Sequence, residues 1–187
     1  MIRYRFVFAK KTPAKIGERR ISDYLKTLFF ENFPLCDSKK GRFSFGPSLP
    51  LGFESESEYV DVYMERRLDE KYIRDMIEKN ISSDYSLLRF KTIPLHFPSV
   101  ESVVDAIEYV FHLDKSFGDE FLFVNIKGLN CSDIFDLRVK NSVVGVILRK
   151  DIKAGDFINV FLRDFSIIRK IRKNLYWIDS NNRLRII

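Results

Sequence analysis

Residues 41–62 read GRFSFGPSLPLGFESESEYVDV and predict two strands joined by a rigid turn. Residues 42–45 alternate polar and apolar side chains, which is the period of a half-buried strand. The next seven residues, GPSLPLG, contain two prolines that fix φ and two glycines that can adopt positive φ. A β-rich run, YVDVY, begins at residue 59. Residues 46–52 therefore predict a structural corner that orients the sheet.

Residues 1–97 predict the element order β-α-β-β-α-β. The run at residues 2–9 alternates as a strand, and residues 18–33 carry an apolar stripe at helical spacing. Asp69 is a candidate N-cap for a second helix, and residues 85–97 predict a fourth strand. This order is typical of the ferredoxin-like arrangement, an antiparallel sheet with two helices on one face. We therefore predict an α+β protein with a ferredoxin-like domain at residues 1–97.

Residues 98–187 predict a second, less regular α+β subdomain, for which a degenerate ferredoxin-like unit is one interpretation. The pattern of this half is compatible with strands at residues 105–113, 120–126 and 143–149, a short helix at 132–139, and paired strands within 166–187 around a polar turn at 179–182. Residues 151–163 are compatible with either a helix or a strand.

Composition excludes several classes of protein. The chain of 187 residues is 45% hydrophobic and 31% charged, and no run approaches the ~20 apolar residues that a membrane span needs. Met1 leads directly into a predicted strand, so we expect no signal peptide. The two cysteines, Cys36 and Cys131, are too few for a disulfide scaffold. We therefore predict a cytoplasmic protein whose cysteines are packing residues.

The net charge of +6 is unevenly distributed. Residues 1–48 carry 11 Lys/Arg and 4 Asp/Glu, residues 49–137 carry 9 and 18, and residues 138–187 carry 12 and 4. Two basic ends that converge in the fold would attract nucleic acid or an acidic partner.

The basic residues form three clusters in the sequence, and phosphate binding requires such charges on one face. The predicted nucleic-acid-binding residues are Lys10, Lys11, Lys15, Arg19 and Arg20 in the first cluster, Lys39, Lys40 and Arg42 in the second, and Arg169, Lys170, Arg172 and Lys173 in the third. Aromatic side chains near such clusters can stack on bases, and the candidates are Tyr4, Phe43, Phe45 and Trp177. The alternative interpretation is that the lysines are solvated and the aromatics are core.

Other polar residues offer weaker signals. His96 and His112 are weak candidates for the general acid and base of metal-independent RNA cleavage, and satisfied or surface histidines on strands are the favoured interpretation. Glu54, Glu56 and Glu58 share one side of an extended strand and suggest either a cation site or a solvated strand edge. The sequence has no zinc-ligand spacing, Gly-rich phosphate loop or nucleophile elbow, so we predict neither a metal nor a cofactor.

The chain resembles the radical-SAM-linked domain family, small bacterial proteins encoded beside or fused to radical S-adenosylmethionine and cobalamin-binding proteins. The resemblance rests on RYRF at residues 3–6, FSFGPSLPLGFES at 43–55, EYVDV at 58–62 and RKNLY at 172–176. It implies an association with RNA modification or processing and a radical-SAM protein as a partner. A radical-SAM cluster needs three closely spaced cysteines, so the cluster would belong to that partner.

Two segments depart from the family pattern. Family members carry Ser-His-Leu-Asp at the entrance to the first helix, where this chain reads IGERRIS at residues 16–22. They also carry a Gly-Phe-Asn-Pro-His-Pro loop before the second strand, where this chain reads CDSKKGR at residues 36–42. Bare charge therefore replaces the polar loops of the relatives.

The leading hypothesis is a non-catalytic RNA-associated accessory protein that works with a radical-SAM partner. One alternative is a metal-independent endoribonuclease resembling the CRISPR repeat-processing enzymes, although residues 174–187 lack the Gly-rich motif of those enzymes. Another is a protein-interaction module whose charge serves an acidic protein. We expect function on the basic approach at residues 39–42 more than in the turn itself.

Overall fold

The computed structural model describes residues 1–15, 20–36, 43–116 and 133–187. These residues form nine strands and four helices. In chain order they are β1 (Ile2–Lys10), α1 (Ile21–Asn32), β2 (Phe43–Phe45), β3 (Glu54–Met64), α2 (Glu70–Asn80), β4 (Tyr85–Ile93), α3 (Val100–Val103), β5 (Ala106–Leu113), β6 (Ile134–Lys140), β7 (Val143–Arg149), α4 (Ala154–Phe161), β8 (Ile167–Ile178) and β9 (Leu184–Ile186).

One mixed sheet contains all nine strands. Its central path runs β4-β1-β3-β8-β5-β7-β6, with β2 paired to β3 and β9 paired to β8. Neighbouring strands are antiparallel except β3 and β8, which run parallel through Glu54 opposite Ile171 and Ser55 opposite Arg172. The predicted α+β class is confirmed. The division into domains at residues 97 and 98 stays a prediction.

Both long helices of the first half pack on one face of the sheet. Alternation along β1 places Tyr4, Phe6 and Phe8 on that face, where they are buried against apolar side chains of α1 and α2. Phe29 of α1 lies 4.8 Å from Phe6 between ring centroids. The Asp69 side chain accepts a hydrogen bond of 3.0 Å from the amide of Tyr72, which confirms the predicted N-cap of α2.

The second half contains one wrong prediction. The helix expected at residues 132–139 is replaced by β6, which pairs antiparallel with β7. Ile134 and Leu137 have the spacing of a helical face, but a register shift between Ile134 and Asp136 accommodates that spacing within a strand. The strand expected at residues 120–126 lies outside the described residues.

Other expectations for the second half hold. The expected strands at 105–113 and 143–149 are β5 and β7, and the ambiguous residues 151–163 contain α4. β8 and β9 pair across the predicted turn, where Asn182 has a φ of 58°. Among the described residues, no helix combines the length and apolar character needed to cross a membrane.

Replacing Phe29 with alanine should lower the free energy of unfolding by about 3–5 kcal/mol, because the ring is fully buried between β1 and α1. Phe30→Ala is the matched control: the adjacent ring is 50% exposed and should cost about 1 kcal/mol or less. Chemical denaturation of both variants measures the difference. Equal losses would contradict this packing of α1.

Candidate functional site

A cavity of about 460 Å³ lies behind the turn at residues 46–52. Its walls come from residues 10–15, from residues 20–26, and from the turn itself, with Glu58 and Tyr85 contributed by the sheet. We call it the turn cavity. Its volume falls in the range of about 300–1,000 Å³ that is usual for ligand pockets.

Backbone hydrogen bonds fix the turn against its surroundings. The amide of Gly52 donates to Ala14 at 2.7 Å, and the amide of Ala14 donates to Phe53 at 2.9 Å, which ties the turn to the loop after β1. Gly52 has a φ of 78°, a conformation that favours glycine. At Gly46 a side chain would meet Leu175 Cδ1 at 3.1 Å, so close packing rather than φ favours glycine there. The turn is therefore a corner that also forms a cavity wall.

Four cationic side chains line the turn cavity, namely Lys10, Lys15, Arg20 and Lys26. Lys10 is only 3% exposed, and its ammonium lies 3.2 Å from Thr12 Oγ1 and 5.0 Å from the centre of the Tyr85 ring. Lys15 and Arg20 are exposed at the entrance. Glu58 is the one acidic residue among the described residues of the lining. The described lining therefore has an excess of positive charge.

Helix α1 directs its amino end toward the same cavity. Arg20 is its N-cap residue, and no side chain of the described residues makes a capping hydrogen bond there. Ile21 and Ser22 of the first turn are part of the cavity lining. The partial positive charge of a helix amino terminus adds to the field of the lysines.

Glu58 already has a partner within the protein. Its carboxylate accepts a hydrogen bond from Arg172 of β8, whose guanidinium also donates to the carbonyl of Pro47 in the turn. Glu58 is 5% exposed and Arg172 is 1% exposed. A buried charge must be paired, so this contact fixes both the cavity floor and the turn.

The three predicted basic clusters differ in where the structure places them. In the first cluster, Lys10, Lys15 and Arg20 line the turn cavity, and Lys11 is exposed on a neighbouring groove of about 220 Å³. Arg19 and the whole second cluster, Lys39, Lys40 and Arg42, lie outside the described residues.

The third cluster is engaged by the acidic run of β3. Arg169 Nε donates to Glu54 Oε1 at 3.0 Å, and Lys173 and Arg172 form ion pairs with Glu56 and Glu58. The hydrogen bond to Glu54 raises the pKa of Arg169 above its usual value. Lys170 lies 5.8 Å over the ring of Phe53. The acidic run is therefore neither a cation site nor a solvated edge, since it balances the charge of β8.

The four aromatic residues proposed for base stacking also lie in different environments. Tyr4 is buried in the core, and Trp177 is 38% exposed on β8. Phe43 and Phe45 stack on each other with centroids 5.9 Å apart, and Lys26 lies 5.5 Å over the Phe45 ring. Of the four, Phe45 lines the turn cavity.

Sequence reasoning missed Lys26, Glu58 and Tyr85 as cavity residues. Lys26 follows Ser22 by one helical turn, so a helical projection of α1 would have placed the two side chains on one face. Glu58 and Tyr85 come from different strands, and only the pairing of β1 with both β3 and β4 brings them together. A second cavity, of about 640 Å³, touches Lys26 and also Lys150 of the second half.

The histidines do not form a site. His96 is exposed beyond the end of β4, and His112 is half-buried on β5 opposite Arg169. Neither imidazole makes a hydrogen bond or ion pair within the described part of the chain.

Cys36 is a free, half-buried thiol, and Cys131 lies outside the described residues. No cluster of three or more metal-binding side chains occurs among residues 1–15, 20–36, 43–116 and 133–187.

A polar cluster on β5 and β8 is also a poor candidate for acid–base catalysis. Glu108 accepts hydrogen bonds from Asn174 at 2.6 Å and from the Tyr176 hydroxyl at 2.8 Å. Burial, with the adjacent Glu108 carboxylate, raises the pKa of Tyr176 to about 12. Tyr176 therefore stays protonated at neutral pH and donates to Glu108.

Residues 38–152 match a family described as an uncharacterized protein conserved in bacteria, DUF2344. This match covers more than half of the chain. The protein belongs to this family. The DUF2344 match contains the turn, Glu58 and Tyr85, whereas Lys10, Lys15 and Arg20 precede it. No curated protein matches the chain.

Replacing Arg172 with methionine should lower the free energy of unfolding by about 3–5 kcal/mol, because Glu58 would keep a buried charge without its guanidinium partner. Chemical denaturation at neutral pH measures the loss. Arg169→Met on the same strand is the control. The Arg169 side chain is 50% exposed, so its loss should cost about 1 kcal/mol or less.

Adding Glu58→Gln to Arg172→Met should recover part of the stability, because a neutral amide is easier to bury than a lone carboxylate. If the double variant loses as much free energy of unfolding as the two single variants lose together, the pairing of Glu58 with Arg172 is contradicted.

Proposed function

We propose that the protein is a non-catalytic RNA-associated accessory protein that binds RNA phosphates at the turn cavity. One observation carries the proposal: Lys10, Lys15, Arg20 and Lys26 converge on a single cavity from β1, the loop after it and α1. Sequence-independent RNA binding depends on such a concentration of cationic side chains. Glu58 does not fully offset the positive charge of these four side chains, because its carboxylate is already paired with Arg172.

The proposal assigns different roles to the three basic clusters. The first cluster forms the contact surface. The second, residues 39–42, immediately precedes β2 in sequence and lies outside the described residues. The third is structural, because Glu54, Glu56 and Glu58 engage three of its four cations. Lys150, beside the neighbouring cavity, adds a cation from the second half.

The partner proposed for this protein is a radical-SAM protein in the cytoplasm. The resemblance to radical-SAM-linked domains supports this partner. Any iron–sulfur cluster of the assembly would be held by the partner, since Cys36 and Cys131 are too few to bind one.

We further propose that residues 1–97 are a ferredoxin-like unit. The order β4-β1-β3-β2, with α1 and α2 on one face, supports this assignment.

The endoribonuclease and the protein-interaction module stay predictions. The structure offers less support for cleavage, because His96 and His112 lie on separate elements and neither has a positioned hydrogen-bond partner within the described part of the chain. A general acid–base pair needs such positioning.

Fluorescence anisotropy with a labelled single-stranded RNA tests the proposal. The affinity of the wild-type protein should fall steeply as the salt concentration rises. The double variant Lys15→Ala, Arg20→Ala should bind about tenfold more weakly. The slope of log affinity against log salt concentration should also fall by about 1.4, which is ~0.7 per lost contact to a single strand.

The control carries Arg66→Ala with Arg67→Ala, which removes the same charge. These exposed arginines follow β3 at the end where Met64 pairs with Ile2. They lie about 25 Å from the Lys10 end of β1, at ~3.3 Å per strand residue. The control should bind like the wild-type protein. Wild-type protein without salt-dependent binding, or equal losses in both variants, would overturn the proposal.

A further inference from the structure

The turn cavity is enclosed at its inner end. Lys10, Leu25, Glu58 and Tyr85 all line it and are at most 6% exposed. A continuous sugar–phosphate backbone follows open grooves, whereas an enclosed cavity of about 460 Å³ accommodates a single nucleotide-sized group. The geometry therefore favours a chain end or a free mononucleotide over the interior of a strand.

The charge of the lining matches a terminal phosphate. A phosphomonoester carries about −1.5 to −2 charges at pH 7 and three strong acceptor oxygens, against a single charge for a backbone phosphodiester. Arg20, the N-cap residue of α1, lines the cavity together with Ser22 and Lys26 of the helix, and Ser22 is half-buried. The Lys26 ammonium lies 3.5 Å from Asp23 Oδ1 at the helix surface. A serine hydroxyl can donate a hydrogen bond to an oxygen of the ligand.

The aromatic residues of the cavity are engaged within the protein: Phe45 stacks on Phe43, and Tyr59 is 3% exposed. The Tyr85 ring stacks on Tyr24 with centroids 4.8 Å apart and also contacts the Lys10 ammonium. Leu49 and the exposed Leu51 supply apolar surface at the turn without side-chain hydrogen-bonding groups. Recognition of the phosphate rather than of a particular base follows from this arrangement.

We propose that the turn cavity binds one phosphomonoester group, the terminal phosphate of an RNA chain, with Arg20, Lys26 and Ser22 as its ligands. This inference rests on the proposed RNA-binding function. It extends that function by assigning the cavity to RNA ends, while the exposed cations at its entrance contact the adjoining backbone. The cavity should discriminate terminal phosphate from terminal hydroxyl and show little preference among the four bases.

Fluorescence anisotropy with one internally labelled oligoribonucleotide in four forms tests the inference: 5′-phosphate, 5′-hydroxyl, 3′-phosphate and 3′-hydroxyl. One phosphorylated end should bind at least tenfold more tightly than its hydroxyl counterpart, and changing the terminal base should alter affinity less than threefold. Adenosine monophosphate should compete for the phosphorylated end, whereas adenosine should not.

Matched variants locate the effect. Arg20→Gln and Lys26→Gln should each reduce the end preference at least threefold, whereas Arg67→Gln should leave it unchanged. Circular dichroism confirms that each variant is folded. Loss of the preference in Arg67→Gln to the same extent would overturn the assignment to this cavity.

The outcomes separate this inference from the proposed function. Salt-dependent RNA binding without an end preference overturns the inference and leaves the proposed function intact. Binding of adenosine monophosphate without any RNA binding overturns the proposed function and reassigns the cavity to a free mononucleotide. Binding of neither ligand overturns both.

Discussion

The buried ion pair between Glu58 and Arg172 is the contact on which the rest of the structure depends. It connects β3 with β8 at the place where the two halves of the sheet meet. The same guanidinium donates to Pro47, so it also holds the turn. Removing two charges from water costs several kcal/mol per ion, which close pairing offsets only with good geometry. A pair of this kind is better suited to specifying a register than to adding stability.

The register of β3 against β8 determines which charges remain available. The strands pair in parallel at Glu54 and Ser55, and this alignment engages three glutamates of β3 with three cations of β8. The basic residues of β1 and α1 are not part of that alignment. A positive cavity therefore remains on one side of the joint, although the joint itself is nearly neutral.

A second buried network involves Arg3 and Arg5 near the start of the chain. Arg5 donates two hydrogen bonds to Asp61, of 2.6 and 2.9 Å, and Asp61 also accepts from the amide of Val100 at 3.0 Å. Arg3 donates to the carbonyls of Pro94 and Phe97 at 2.8 and 2.9 Å. These contacts hold the connection between the two halves against the sheet. Arg3, Arg5 and Asp61 of the RYRF and YVDV segments are therefore architectural residues.

Local patterns in the sequence were sufficient to predict the first half and much of the second. Alternation and helical spacing located β1, α1, α2 and β5, and the Asp69 cap was correct. The error at residues 132–139 arose because eight residues are too few to separate a helical period from a bulged strand. Local patterns carry no information on the parallel pairing of β3 with β8, whose partners are more than 100 residues apart in sequence.

The candidate site was predicted only in part, because local sequence patterns carry no information on which strands pair. Counting charges by segment treated Arg172 and Lys10 alike, yet one forms a buried structural ion pair and the other lines a cavity. Both cations lie on strands that pair with β3, so the distinction depends on which side chain each one meets, and that contact is a tertiary property. Lys26 belongs to the site because α1 orients it toward the turn, not because it lies in a basic run. In this fold, the side chain that a cation meets decides its role: Arg172 of β8 meets Glu58, whereas the ammonium of Lys10 on β1 donates to Thr12.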